Sequence, residues 1–430
     1  NDPQVLSYGP CSIIVGFDIA ANGGEEITEA GCYYAEDTED TEDAEKAEES
    51  RDGDATPTQQ KAKIENYQGA IGAQQVKLND LKFNTTYRIW AYAQNRVGET
   101  KSQAITFRTS DAVKLQEAGK LSELMGNHLY EYTQLTIAGD LNGDDLRCLR
   151  TMAGRDINNE TTEGKLADIN LADAHIVAGG GDFGPYHRHT ENQVVGQGFL
   201  AQCNQLSHIL LPSDVTKIEK DAFAGCTSLK EIEIPASVSQ LLPSAGCTAL
   251  ESIQVSKANT HYSSLDGVLF NAAGTEILWF PMGKQGDYTL PSTLSGIGDY
   301  AFKECSITRF IFPDNFSEIG QGALMNSLVE EVSLPAQLKL IPTGTFQGCI
   351  RLKVVRLGEK TELVSDYVFD GCPLTDLYVD APYPPVCNTN AFTTKGTPFL
   401  PTCVLHVPAG KKKLYQNNRS WSKFEHIVEQ

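Results

Sequence analysis

No apolar run in this 430-residue sequence approaches the ~20 residues of a membrane-spanning helix, which excludes a helical transmembrane segment. Basic residues are scarce as well. Lys and Arg total 35 against 56 Asp and Glu, a net charge of −21. Such a surface repels polyanions, which argues against nucleic acid and anionic membranes as partners, and no nucleic acid is expected. Catalytic signatures are missing too: there is no HExxH, no GxSxG and no Walker A segment. The chain therefore reads as non-enzymatic, with no cofactor expected. It has no initiator Met and no signal peptide, which suits a mature or trimmed form.

What is present is one phrase written many times between residues 199 and 392. A LxxLxL frame appears as LSHILLP from Leu206, LKEIEIP from Leu229 and LESIQV from Leu250. It returns as ITRFIFP from Ile307, VEEVSLP from Val329, LKVVRL from Leu352 and LTDLYV from Leu374. Between frames a second phrase ends at Cys226 (DAFAGC), Cys305 (YAFKEC), Cys349 (GTFQGC), Cys372 (YVFDGC) and, truncated, at Phe392. Phe346, Phe369 and Phe392 are 23 apart, Phe199 and Phe223 are 24 apart, and Leu324 divides the 44 residues between Phe302 and Phe346. A period in the twenties with this frame marks a leucine-rich-repeat solenoid, a horseshoe-like stack with a parallel sheet. Two positions in the run depart: Ser244 replaces the rung phenylalanine in a shortened repeat, and Met325-Asn326-Ser327 replaces a Gly-Cys turn.

Alternation within each frame assigns directions. The last two apolar residues point inward. The outward positions are His208, Leu210, Glu231, Glu233, Ser252, Gln254, Arg309, Ile311, Glu331, Ser333, Val354, Arg356, Asp376 and Tyr378. The closing proline cannot donate to a ladder and suits a strand end. The Gly-Cys phrase suits a return turn, because glycine tolerates positive φ and cysteine is small. Of eleven cysteines, six (Cys203, Cys226, Cys247, Cys305, Cys349 and Cys372) fall at one place in the repeat. Rungs ~5 Å apart carry parallel Cβ vectors that do not converge on a disulfide, so a ladder of free thiols is expected. Cys11, Cys32, Cys148, Cys387 and Cys403 lie outside it and are available to pair.

Residues 5–19 and 76–109 read as strands, with turns at Asn22-Gly23-Gly24 and Asn95 to Gly98. Between them, Glu36 to Asp54 holds eleven acids and two bases. That run reads as a solvated loop, with a weak divalent-cation sink as the sharper alternative, for which nothing fixes ligand geometry. From Ala112 to Met125 the apolar residues have helical spacing. Tyr132–Ile137 and Leu166–Leu171 are degenerate frames, and Asp144–Met152 is a helix with acids in its first turn. Residues 111–198 thus form an N-terminal cap and 393–430 a C-terminal cap around the 199–392 array. Residues 256–281 interrupt the array as an insert of two strands about an Asn-Ala-Ala-Gly turn.

Three motifs weigh less than they look. Asp140, Asn142 and Asp144 open like a calcium loop, but Asp145 and Thr151 stand where such loops carry Gly and Glu. Gly179, Gly181 and Gly184 match GxGxxG, but Pro185 follows and no helix does. His187, His189 and Glu191 lack a further ligand and read as a polar loop.

Residues 1–110 resemble the fibronectin type III-like domains of Bacteroidales surface proteins. The matching residues are Asn22-Gly23-Gly24, Ile27 to Gly31, Leu81 to Tyr87, Ala91 to Asn95, Gly98 and Phe107-Arg108-Thr109. Residues 111–430 resemble BspA-like leucine-rich-repeat surface proteins of the same group, on Leu141 to Asp145, Leu171 to Gly180, the Ala-Phe-x-Gly-Cys rungs, Ser264 to Phe270, and the Val-Pro-Ala-Gly ending with Tyr415, Trp421 and Phe424. The resemblance implies a mainly β chain with an N-terminal β-sandwich. It also implies export to the cell surface or secretion, with a lipid anchor to the outer membrane through a removed segment. A monomeric adhesin or ligand-capture module for a host protein or glycan is the leading expectation. A passive spacer and an uncharacterised glycan-active enzyme are the alternatives.

Overall fold

The computed structural model describes residues 1–37, 59–285, 288–394, 397–398 and 402–430. Residues 38–54 of the acidic run, and with them the cation-sink reading, lie outside the described residues. The chain divides into two compact units, Asn1–Asn192 and Gln193–Gln430.

The first unit begins with two antiparallel sheets. In one, Ser12–Ile19 lies between Gln4–Gly9 and Gly72–Leu78. In the other, Ile27–Glu36 pairs with Gln60–Lys63 and Thr86–Asn95, and the last strand also takes Glu99–Lys101 and Ile105–Arg108. Ile13, Val15 and Phe17 of the first sheet share one core with Ala30, Cys32, Ile89 and Ala91 of the second. This is a sandwich: alternating apolar residues on each strand face the opposite sheet.

After it the chain turns to parallel pairing. Gln134–Leu141 runs parallel to Ala112–Lys114, Asp168–Asn170 and Ala174–Ile176. The helix expected across 112–125 is therefore only Leu121–Met125. The intervening Gly119 has φ +90 and donates its N–H to Asp145, which breaks a helix there and leaves 112–114 to the sheet. Gly143–Met152 is the expected helix, and the false calcium loop is its N-terminus. The Asn142 side chain accepts from the Asp144 N–H, and the Asp145 carboxylate accepts from the N–H groups of Asn142, Gly119 and Leu121.

The second unit is a β-solenoid built on two parallel ladders. The frame ladder holds His208–Leu210, Glu231–Ile234 and Ser252–Val255. It resumes as Arg309–Phe310, Glu331–Ser333, Val354–Leu357, Asp376–Val379, Val404–Val407 and His426–Glu429. A second ladder of mostly two-residue strands runs in three pieces, beginning with Val194–Val195, Lys217–Ile218 and Gln240–Leu241. Its last piece is Leu340–Ile341, Leu363–Val364 and Val386–Cys387. Ile218, Ile341 and Val364 point from it into the core and are buried.

Proline ends the frames for two reasons. The strands stop before Pro212, Pro235, Pro313 and Pro335. Each proline carbonyl then accepts from the N–H three residues on, at Val215, Val238, Phe316 and Leu338, closing a turn.

The return turns stack on each other through one recurring bond, from a rung residue to the carbonyl just before the next rung. Phe302 donates to Ala323, Leu324 to Thr345 and Phe346 to Val368, at 2.8 to 3.0 Å. Leu200 donates to Ala222 in the same way, so Leu200 is the rung residue, not Phe199. The adjacent apolar pair Phe199-Leu200 hid this phase in the sequence. Phe280 donates to Ala301 and stacks on Phe302 at 4.7 Å, so it too is a rung, lying inside the segment read as insert. That insert has three strands rather than two: Tyr262–Leu265, Val268–Asn271 and Glu276–Trp279, the extra turn falling at Asp266-Gly267.

The residue before each rung cysteine is left-handed whatever its type: Gln202, Gly225, Gly246, Glu304, Gly348 and Gly371 have φ between 61 and 80. Asn326 takes the same conformation, and Ser327 occupies the cysteine place, fully buried. The departure at Met325-Asn326-Ser327 is thus absorbed without changing the turn. Four of the rung thiols have work of their own: they donate to the carbonyl of the preceding rung, Cys226 to Leu200 (3.0 Å), Cys247 to Phe223 (3.3 Å), Cys349 to Leu324 (3.0 Å) and Cys372 to Phe346 (3.0 Å). A small donor satisfies a carbonyl that the tight turn leaves in the core. All eleven cysteines are free, including the five available to pair.

Candidate functional site

The frame strands set their outward side chains in rows across the sheet. None of the fourteen outward residues is buried, while the inward Ile209, Ile232, Ile253, Val332, Val355 and Leu377 are. The structure divides the fourteen between two sheets. His208, Glu231 and Ser252 are in register on the first, beside Glu233 and Gln254, with Leu210 on the first strand. The three-strand insert follows, its Gly267 carbonyl accepting from Ile253 N–H at 2.8 Å. The second sheet brings Arg309, Glu331, Val354 and Asp376 into one row. Ser333, Arg356 and Tyr378 form the next row. Ile311 lies just past the end of its strand, 81% exposed.

The row Arg356–Tyr378 continues onto a residue that the sequence did not single out. His406 is the partner of Tyr378 in register. Its ring stacks on the tyrosine with centroids 4.0 Å apart and planes 11° from parallel. On the other side, the Arg356 guanidinium lies 4.5 Å from the Tyr378 centroid. Each end of this stack is held. Arg356 Nη1 donates to Asp380 at 2.7 Å, and Gln430 Nε2 donates to the same carboxylate at 2.9 Å. His406 Nε2 is 2.8 Å from Asp376 Oδ1. The hydrogen bond to His406 holds the Asp376 carboxyl below the usual carboxylate range. Arg309 does not join the cluster. It sits one row over, largely exposed, 4.0 Å from Glu331.

A signal for His406 existed: Leu405-His406-Val407 has the same in-out-in alternation as the frames, but lacks their leading leucine. Assigning the segment to a cap concealed it. It is a further parallel strand, and Tyr415 and Trp421 close the stack behind it. Both are fully buried and donate to the carbonyls of Ala381 and Pro385 at 2.8 Å.

The remaining candidates stay apart. His187 and His189 both face Asp182, at 2.8 and 3.3 Å, on an exposed loop. Among the described residues no group of three or more His, Cys, Asp or Glu is placed to hold a metal ion. Burial pushes the Cys247 and Cys305 thiols up to about 12, so these two stay protonated.

Residues 189–270 and 280–395 match the BspA type leucine-rich repeat region in six copies. Over these residues the array is similar to BspA type leucine-rich repeats. Solved structures similar to this chain include the pneumococcal vaccine antigen PcpA, 17% identical with a TM-score of 0.46, the match covering 69% of this chain and 79% of that one. A leucine-rich cell surface protein from Faecalibacterium prausnitzii A2-165 is 18% identical with a TM-score of 0.42, covering 79% and 93%. A leucine-rich-repeat protein from Bacteroides ovatus ATCC 8483 is 17% identical with a TM-score of 0.30, covering 57% and 66%. No curated protein matches the chain. No helix among the described residues is long and apolar enough to cross a membrane.

Proposed function

We propose that this chain is a bacterial cell-surface binding protein whose frame-strand face captures a host protein or glycan. The reading includes a Bacteroidales source, a fibronectin type III-like N-terminal domain and a lipid anchor on a segment ahead of residue 1. The observation that carries it is the stacked Arg356–Tyr378–His406 row. Arg and Tyr are among the residues enriched at binding hot spots. Here they are fixed by neighbours before any partner arrives, so little ordering entropy is lost on contact. The three groups offer flat faces and N–H donors, which suit a sugar ring or a carboxylated or sulfated group.

The test is a glycan array and a panel of host matrix proteins probed with the full chain, in parallel with a Tyr378→Ala, His406→Ala variant. Capture that weakens at least ~10-fold in the variant, as truncation of two hot-spot residues does, supports the reading. Capture of nothing on either panel favours the spacer.

A further inference from the structure

The regular stacking of return turns fails at one place. Rung Ser244 and the next rung, Phe280, are separated by the insert, 36 residues against 22 from Phe280 to Phe302. Among the described residues no backbone hydrogen bond joins the turn at 242–247 to the turn at 279–283. The aromatic stack fails there as well. Ser244 is buried and spends its hydroxyl accepting from the Phe223 N–H at 3.1 Å. What remains between the two turns is a recess of about 320 Å3. Elsewhere the core is filled rung upon rung, as close-packed interiors are. A recess of this size is at the lower end of small-ligand pockets.

Its walls are mostly apolar. Leu242, Pro243 and Ala245 form one side and Trp279, Met282 and Tyr300 the other, with Met325 beyond. Leu242 is 53% exposed, a large apolar side chain left at the lip. Met282 and Met325 are two of only four methionines in the chain, and both are half-buried here. Methionine adapts its shape to what it meets, which suits a recess that receives a guest.

The rim carries both signs. Lys220 and Lys303 stand on it with Asp221 and Asp299. Each aspartate uses one oxygen on backbone, Asp221 on the Ala245 N–H at 3.3 Å and Asp299 on the Gln321 N–H at 2.7 Å, and among the described residues the other oxygen has no hydrogen-bond partner. Lys303 is 3.5 Å from Glu304. Lys220 lies 5.3 Å from the Tyr300 ring centroid, with no carboxylate within ion-pair distance among the described residues. An apolar floor with paired cations and anions on its rim is complementary to a flat apolar body that carries one charge of each sign.

We infer that this recess binds a zwitterionic aromatic amino acid. The ring enters between Leu242 and Trp279, the ligand carboxylate meets Lys220 and Lys303, and its ammonium meets Asp221 and Asp299. The site is independent of the frame-strand face, so either can fail without the other.

Methyl-13C-methionine labelling of the full chain gives the test, with L-tryptophan as the probe. Met282 and Met325 should shift saturably, with a Kd on the order of 1 mM for so small a ligand. Met125 and Met152, buried in the other unit, should not move. Tryptamine, which lacks the carboxylate, and indole-3-propionate, which lacks the ammonium, should each bind at least ~5-fold more weakly, a loss within that of one ion pair. Lys220→Ala should narrow the gap between L-tryptophan and tryptamine. Leu242→Glu, an exposed change that leaves the core intact, should abolish the shifts. Absence of saturable shifts at Met282 and Met325, equal shifts at all four methionines, or either analogue binding as tightly as L-tryptophan overturns the assignment.

Discussion

The Tyr378 ring lies flat against the His406 imidazole, 4.0 Å between centroids, although 28 residues separate them in sequence. The parallel ladder alone puts them side by side: Asp376–Val379 and Val404–Val407 are neighbours in register. Neighbouring strands ~5 Å apart hold successive outward rings close to stacking distance. The cluster is thus a consequence of repetition, with the Arg356–Asp380 and His406–Asp376 contacts fixing the rotamers.

The thiols should count in full. Titration of the unfolded, unreduced chain with a thiol reagent should find eleven free cysteines, because none is paired and four of the rung thiols are turned to carbonyls. A count of nine or fewer would show at least one disulfide.

Removing a rung aromatic should open the stack locally. Phe369 is fully buried between Phe346 and Phe392, with ring centroids 5.8 and 5.9 Å away. Phe369→Ala should cost about 3–5 kcal/mol, the range for truncating a core phenylalanine. Because rungs couple chiefly to their neighbours, hydrogen exchange should rise most between residues 346 and 392. Unchanged melting and exchange would place the ring outside the core.

In the first unit, Glu29 should titrate far below other glutamates. Hydrogen bonds from Lys61 and Lys63 hold its carboxyl down to about 2, against an ordinary value of 4.5. A depressed carboxyl stabilises the fold above its unfolded pKa, and that contribution is lost as pH falls from about 4.5 through about 2. A carboxyl-carbon NMR titration should give the low midpoint in the wild type and a higher one in Lys61→Met. A wild-type midpoint near 4.5 would remove the ion pair from the account.

Much of the array was legible because its signals are redundant. Frame, proline, rung and cysteine each repeat, and losing one at Met325-Asn326-Ser327 leaves the others to set the register. Legibility failed where a signal was single or degenerate. Phe199-Leu200 offered two apolar residues for one rung place. Ala112–Lys114 has helical spacing, yet Gly119 and the waiting edge of Gln4–Gly9 favour a strand, as the Tyr8–Lys114 pairing records. The second ladder, two residues per turn, is too short for alternation to register. At the candidate site, the frames located Arg356 and Tyr378, but their partners come from outside the frames: His406 from the strand Val404–Val407, Gln430 from just past the last strand and Asp380 from just past the frame strand Asp376–Val379.

The central claim is that the frame-strand face binds, and surface plasmon resonance on a captured host protein or glycan tests it most directly. Wild type should be compared with the triple variant Arg309→Ala, Arg356→Ala, Tyr378→Ala, with the fold checked by circular dichroism. The triple variant should bind at least ~10-fold more weakly, because each hot-spot truncation costs over ~1 kcal/mol. Arg309→Ala alone should change little, since that side chain is 79% exposed and stands apart from the stack. A triple variant that keeps wild-type affinity and a native spectrum would contradict the claim and move the binding site off this face.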